Sequence, residues 1–388
     1  MAAEKNNKTL NVPNLRFPEF SGEWEKYSLN DISTIYGRIG FRGYTVADIV
    51  EKGEGAIALS PINIDSNCLT YEKDNTYIST YKYEESPEIK IFAGDIIFVK
   101  TGSTVGKVAF VDNIIDRTTL NPQLVVLKQV KCNPYFLYLL MAAPCFQKHI
   151  KRITVGGAVP TLSQNEMGRI RITLPPNAEQ DRISALFKLL NYRIETQKKI
   201  IEDLKKLKDA ISKRVFENHG SSNSMLLGMV ADIYQPQTIP TSLLNDTLQY
   251  PVYGANGVIG KYSEYNHENS QICIACRGNT CGTVNYSKPK SWITGNAMVI
   301  NTDKYDVNKR FLFHQLCTVN YSPLISGSGQ PQIVRAPLEK MKIWFPNEDI
   351  QERIATLFDT IEDRALIEET TLILAERMKQ YLLNQMFI

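Results

Sequence analysis

Gly102-Ser103-Thr104-Val105-Gly106-Lys107-Val108 is the stretch of this sequence that comes nearest to holding a nucleotide. A phosphate loop needs four residues between its glycines and Ser or Thr after the lysine, so that backbone N–H groups cradle phosphate and the hydroxyl meets magnesium. Here three residues separate the glycines and Val108 follows the lysine, so a glycine turn between strands is expected instead. Cys273, Cys276 and Cys281 could offer thiolates to zinc, but no second Cys-x-x-Cys pair exists. Residues three apart on a strand also face opposite sides, which makes buried cysteines the expectation. Asn121-Pro122-Gln123-Leu124 and Asn133-Pro134-Tyr135-Phe136 lack the second proline before an aromatic that an amino-methyl transfer site would carry. Asn133-Pro134 reads as a helix start, with Pro at the first helical position. Glu88-Ile89-Lys90 lacks the upstream acid of a metal-dependent nuclease. The four histidines, His149, His219, His267 and His314, are scattered. No catalytic centre and no metal site is expected.

What must position the remaining polar residues is a chain of 388 residues, long enough for two to three folding units. Its 43% hydrophobic and 22% charged fractions are those of a soluble globular protein. The first residues are polar, no apolar run approaches a membrane span, and seven cysteines at irregular spacing fit a reducing compartment; a cytoplasmic location is expected. Net charge is only +3, low for a chain held to DNA by phosphate contacts alone.

The sequence is written twice. With Pro160 placed on Pro331, an offset of 171, Ile172 falls on Ile343 and Pro175 on Pro346. In the same register Gln180, Arg182 and Ile183 fall on Gln351, Arg353 and Ile354, Phe187 on Phe358, and Phe216 on Phe387. Upstream the match is looser. Ile97–Gly106 resembles Cys273–Gly282 at 176, Asn121 and Phe136-Leu137 match Asn296 and Phe311-Leu312 at 175, and Leu29–Tyr36 resembles Leu227–Tyr234 at 198. Changing offsets indicate loop insertions in a shared scaffold.

Each copy ends in a helix. Asn177 with Gln180 three residues on reads as a capping box. Heptad seams follow at Phe187, Leu190, Ile194, Gln197, Ile201, Leu204, Lys208, Ile211 and Val215, and at Phe358, Ile361, Ala365, Glu368, Leu372, Ala375, Lys379, Leu382 and Met386. Each helix would run about 55 Å at 1.5 Å per residue. Glu179–Phe216 carries ten basic and six acidic residues, and Ile350–Ile388 four and seven, so the unlike helices should pair, antiparallel, rather than self-pair. Lys208 and Lys379, at matching seam positions, set register, face a partner subunit or snorkel out of the seam. The globular parts show short strand-like runs such as Asp95–Val99, Leu124–Leu127 and Ala297–Ile300 between glycine turns, with helices opening at Asn133 and Asn308. The fold class expected is α+β: two duplicated globular domains, each followed by a long helix, the helices packed as an antiparallel coiled coil with pseudo-two-fold symmetry.

This two-copy plan, with Gln180–Phe187 and Gln351–Phe358 opening the helices as Gln-x-Arg-Ile-x-x-Leu-Phe, resembles the specificity subunits of Type I restriction-modification systems. Leu174-Pro175-Pro176, Phe345-Pro346 and Tyr253–Gly260 carry the same resemblance. It implies an N-terminal arm over 1–14, a first target recognition domain over 15–176, a spacer helix over 177–217, a linker over 218–224, a second recognition domain over 225–347 and a second spacer helix over 348–388. Each domain would read one part of a split double-stranded DNA site. The helices would space the two readings and dock two methyltransferase subunits, with restriction motor-nuclease subunits joining for cleavage. S-adenosylmethionine, ATP and Mg would belong to those partners, and the chain itself would be non-catalytic. An adaptor whose duplicated domains bind protein, or a subunit of a methylation-only or other-type system, is the alternative.

Residues 217–349 hold ten basic and ten acidic residues, so the resemblance points to direct base readout. The candidates are polar residues near glycines: Arg38, Arg42, Lys100, Thr101, Ser103 and Lys107 in the first half, and Asn256, Lys261, Arg277, Asn279, Thr280 and Gln330 in the second. Gln180, Arg182, Phe187, Ile194, Ile201, Gln351, Arg353, Phe358 and Leu372 are the candidates for subunit docking and the helix seam.

Overall fold

The computed structural model describes residues 11–154, 159–217, 223–327 and 329–388. Most of the expected linker, with His219, and most of the N-terminal arm lie outside them. The chain divides into two compact units, one of Met1–Thr196 with Leu372–Ile388, the other of Gln197–Thr371. The division falls inside both long helices, Asn177–Phe216 and Glu348–Gln385. Each unit therefore owns the first part of one helix and the last part of the other.

In the first unit a six-stranded sheet carries Leu124–Lys128 between Thr34–Gly37 and Ile96–Val99, antiparallel to both. A four-stranded sheet adds Thr118–Leu120 parallel to Ala56–Leu59. In the second unit Ala297–Asn301 lies antiparallel between Asp232–Tyr234 and Ile272–Ala275, and a second sheet sets Tyr250–Gly254 parallel to Trp292–Ile293. The central strands of both units are almost wholly buried and apolar, as strands covered on both faces must be. Among the described residues no helix is long and apolar enough to cross a membrane.

Both units are closed by the same aromatic triplet. In the first, the Phe387 ring lies 5.4 Å from Phe136 and 6.0 Å from Phe187. In the second, Phe216 lies 6.0 Å from Phe311 and 5.7 Å from Phe358. Each triplet takes one ring from a short helix (Pro134–Ala142 or Lys309–Leu316), one from the first turns of one long helix and one from the last residue of the other (Phe216) or two residues past its end (Phe387). Truncating such a ring to alanine costs about 3–5 kcal/mol, which makes the triplets the anchor points of the helix pairing.

The pairing is antiparallel within each unit. In the first, Ile183 and Phe187 share a core with Leu383, Met386 and Phe387. In the second, the partners of Gln197, Lys208 and Phe216 are Glu368, Glu362 and Phe358. Every expected seam position is buried or half-buried. The opposite flank charges meet as Lys205–Glu369 at 3.1 Å and Lys208–Glu362 at 2.6 Å. Lys208 thus pairs with a carboxylate across the seam rather than only snorkelling. The capping box expected at Asn177 is not formed: Asn177 is already helical, and the Gln180 amide donates to the Asn177 side chain at 3.3 Å and to Pro175 O while its oxygen accepts from Asn133.

Candidate nucleic-acid interface

The strand Ile96–Val99 leads into a turn whose backbone is bonded at each step. Lys100 N–H donates to Gln123 O at 2.9 Å, Gly102 N–H to Pro160 O at 3.0 Å and Gly106 N–H back to Val99 O at 3.0 Å, while Leu162 N–H donates to Lys100 O at 2.8 Å. The second unit repeats each bond. Cys276 N–H donates to Asn296 O at 3.1 Å, Gly278 N–H to Pro331 O at 2.9 Å, Gly282 N–H to Ala275 O at 2.9 Å, and Ile333 N–H to Cys276 O at 3.0 Å. Thr101 bridges Thr161 as Arg277 bridges Gln332. Glycine is required twice in each turn: Gly102 and Gly106 have φ of +108° and +99°, Gly278 and Gly282 of +80° and +91°, and a Cβ at Gly106 or Gly282 would also meet Gln147 Oε1 or Tyr321 Cβ at 2.8 Å.

These turns gather most of the candidates. Thr101 and Ser103 stand in the first, with Lys100 half-buried at its entrance and its ammonium pKa lowered by burial. Arg277, Asn279 and Thr280 stand in the second, with Gln330 on the loop paired to it. Arg277, Asn279, Gln330 and Ser103 are exposed. A cation, hydroxyls and amides on a rigid turn offer the donors and acceptors that base edges and phosphates take.

Other candidates are placed elsewhere. Arg38 is 4% exposed and spends its guanidinium inside the unit, from Nε to Leu120 O at 2.8 Å, from Nη1 to Arg42 O and from Nη2 to Thr119 Oγ1, both at 3.2 Å. It ties three loop and strand segments together, and it is burial of the whole side chain that keeps its guanidinium from a DNA surface. Arg42 lies 3.5 Å from Glu88. Lys107 points its ammonium at Ile64 O, 3.3 Å away. Asn256 is at the tip of the hairpin Tyr250–Gly254/Gly257–Tyr262 and Lys261 on its outer strand, a different sheet from the Arg277 turn.

The helix candidates divide likewise. Phe187, Ile194, Ile201 and Phe358 are buried seam residues and Leu372 is half-buried. Gln180 and Gln351 are 2% and 3% exposed and are bonded within their units, so their amides do not face a partner. Arg182 and Arg353 are exposed; Arg182 lies over the Phe17 ring at 5.4 Å.

Two residues escaped the sequence reading. The register of Leu124 on Val99 and of Ala297 on Ala275 equates Gln123 with Asn296, an offset of 173. The sequence match of Asn121 to Asn296 is thereby corrected. Both amides are exposed beside the glycine turn. Aligning the apolar runs that follow them, rather than the two asparagines, would have found the pair.

One histidine meets acidic residues in space. His314, Asp359 and Glu362 bring three ligand atoms within 4.8 Å of one another. Arg310 Nη2 lies 2.5 Å from Asp359 and 2.7 Å from Glu362, and Lys208 Nζ lies 2.6 Å from Glu362. Two cations already neutralise the two carboxylates, so the group is an internal ion network. Burial lowers the His314 pKa, against the carboxylates that raise it. Cys273 and Cys276 fall in different cores, and burial pushes the Cys273 thiol up to about 12, far from a ready metal ligand.

The family profile described as Type I restriction modification DNA specificity domain matches residues 21–206 and again 222–377. The chain is 24% identical over 416 residues to the putative type I restriction enzyme MjaX specificity subunit of Methanocaldococcus jannaschii, covering 97% of this chain and 96% of that one. To the type I restriction enzyme EcoprrI specificity subunit of Escherichia coli it is 29% identical over 113 residues, 29% of this chain and only 28% of the relative's length. The structure of the Type-I restriction-modification system S subunit from M. genitalium superposes with a TM-score of 0.66 at 15% identity, over 97% of this chain and 99% of that one.

Proposed function

Because the chain belongs to the family of Type I restriction modification DNA specificity domains, we propose that it is the sequence-reading subunit of such a system and performs no chemistry itself. Each unit reads one part of a split double-stranded DNA site through its glycine turn. The observation that carries this reading is the duplication of that turn, bond for bond, with different side chains mounted on it: Thr101 and Ser103 in one unit, Arg277 and Asn279 in the other. A conserved frame under unlike polar groups is what reading two different short sequences requires. Joining two readers in one chain makes the second contact intramolecular, which offsets a net charge of only +3.

In this proposal two methyltransferase subunits dock on the chain and restriction subunits join for cleavage. S-adenosylmethionine, ATP and Mg are bound by those partners, in the cytoplasm. Docking is supported by large apolar side chains left exposed on the second long helix: Leu366 and Ile367 in one unit, and Leu374, Met378 and Tyr381 in the other. The test is to map methylated motifs in a host carrying this gene with its partner methyltransferase gene. A new split motif, changed in one part when one half of the chain is exchanged, is the expected result. A stable complex with the methyltransferase that adds no motif would overturn the reading in favour of a protein-binding adaptor.

A further inference from the structure

We infer that Gln123 and Asn296 are corresponding base-reading side chains of the two units, each pairing with the edge of an adenine in its part of the DNA site; the inference rests on the reading proposed above. The two residues occupy one place in the duplicated frame. The carbonyl of each accepts the N–H of the residue that follows the central strand, Lys100 at 2.9 Å and Cys276 at 3.1 Å. The next residue of each begins the neighbouring strand, with Leu124 opposite Val99 and Ala297 opposite Ala275. Both side chains are exposed, whereas the residues after them are buried.

The chemistry is the same in both places although the residues differ. A carboxamide offers one acceptor and two donors in a plane, and of the base pairs it is adenine, with N7 accepting and N6 donating, that it matches bidentately. Neither amide is spent on the fold. Gln123 is held but not exhausted. Asn121 Oδ1 accepts the Gln123 N–H at 2.9 Å, and Asn121 Nδ2 donates to Gln123 Oε1 at 3.1 Å. That bond leaves both N–H groups of Gln123 and a second lone pair on Oε1 for a ligand. Asn121, 7% exposed, is thus a positioning residue for Gln123.

The neighbours fit a DNA surface. Thr101 with Thr161 stands beside Gln123, and Arg277 with Gln332 beside Asn296, through the bridges that close each turn. Arg277 and the hydroxyls are suited to phosphate or to a flanking base; Asn279 and Gln330 add amides to the second turn, but Ser103 and Val159 stand at their places in the first, so Gln123 and Asn296 are the amides that the two turns share.

The test uses the complex with the partner methyltransferase. The methylated motif is mapped for the unaltered chain, for Gln123→Leu and for Asn296→Leu. Each variant is expected to become indifferent to base identity at one A·T position, Gln123→Leu in one part of the site and Asn296→Leu in the other. Binding is then measured on duplexes in which 7-deazaadenine, which lacks the N7 acceptor, replaces adenines of the site one at a time. One replacement in each part should weaken binding by the unaltered complex about five- to a hundredfold, and the matching variant should not register it. This binding measurement decides the matter even for a variant too weak to methylate. A split motif for the unaltered chain, with both variants keeping that motif and the same 7-deazaadenine sensitivity, would overturn this inference alone. No split motif for the unaltered chain would remove the reading beneath it.

Discussion

Gln180 Oε1 accepts the backbone N–H of Asn133 at 2.9 Å, while its Nε2 donates to Pro175 O at 2.8 Å. The second unit repeats the pair with Gln351, Asn308 and Pro346 at the same distances. One amide thus joins the loop before a long helix to the N-cap of a short one. Both N-caps, Asn133 and Asn308, in turn accept from Phe136 and Phe311 at 3.0 Å. Replacing Gln180 by Ala leaves a buried N–H and a buried carbonyl unpaired, which costs about 1–3 kcal/mol for each group left unsatisfied. Gln180→Ala should raise hydrogen exchange at 133–140, and Gln351→Ala at 308–315. Unchanged exchange in both would show the amides to be dispensable.

The seam holds a buried polar pair. Gln197 and Glu368 are 7% and 6% exposed, and the Gln197 amide donates to both the carboxylate and the main-chain oxygen of Glu368. Apolar residues at these positions would tolerate other alignments of the helices, whereas a buried polar pair rewards one register. Gln197→Leu leaves Glu368 Oε2 buried without its amide donor, although Oε1 stays paired with Arg364, and should lower the urea midpoint, by about 1–3 kcal/mol in stability. Gln197→Leu with Glu368→Leu should recover that loss or exceed the parent. A double variant as weak as the single one would mean that the pair contributes net stability.

How much of this was legible in the sequence depended on period and register. The seams were read correctly because apolar residues recur at heptad spacing whatever surrounds them, and every position named is buried or half-buried. The docking role of Gln180 was misread because its partner, Asn133, lies 47 positions away. Arg38 looked like a loop cation because nothing local reveals that Leu120 and Thr119 come to meet it. Gln123 was missed because two identical asparagines invited the wrong offset, and only strand pairing exposes the right one.

Arg38 and Arg277 separate a folding arginine from a reading one. Arg38→Ala removes bonds to Leu120, Arg42 and Thr119 inside the first unit and should lower its melting temperature while leaving the methylated motif intact. Arg277 is exposed on the turn of the second unit. Arg277→Ala should leave the melting temperature unchanged and weaken DNA binding. A base contact would relax one position at a cost of about 1–3 kcal/mol. A phosphate contact would instead weaken all sequences and reduce the salt slope by about 1. The reverse pattern in either arginine would refute the assignment.

The two units also differ in how acid affects them. In the second, Arg310, His314, Asp359, Glu362 and Lys208 form the ion network at the foot of the short helix. At the matching place in the first unit, Asn191 Nδ2 donates to Tyr135 Oη at 2.7 Å and Lys188 lies 5.0 Å from that ring, with Leu139 where His314 would be. His314 is 2% exposed and burial lowers its pKa, so it is neutral near pH 7, with Nε2 donating to Asp359 Oδ1 at 2.8 Å. As pH falls through the unfolded histidine value of about 6.5, the unfolded chain gains a proton that the folded one resists, and stability is lost. Asp359 and Glu362 add to this further down. Burial raises their pKa values, but bonds from Arg310, His314 and Lys208 outweigh it and lower them, so their contribution is present above the ordinary carboxylate range and lost below it. Hydrogen exchange between pH 7.5 and 5.5 should therefore loosen 309–316 well before 134–142. His314→Leu, which copies the first unit, should flatten that dependence. An equal pH response of the two short helices in the parent chain would show that the network does not govern the second.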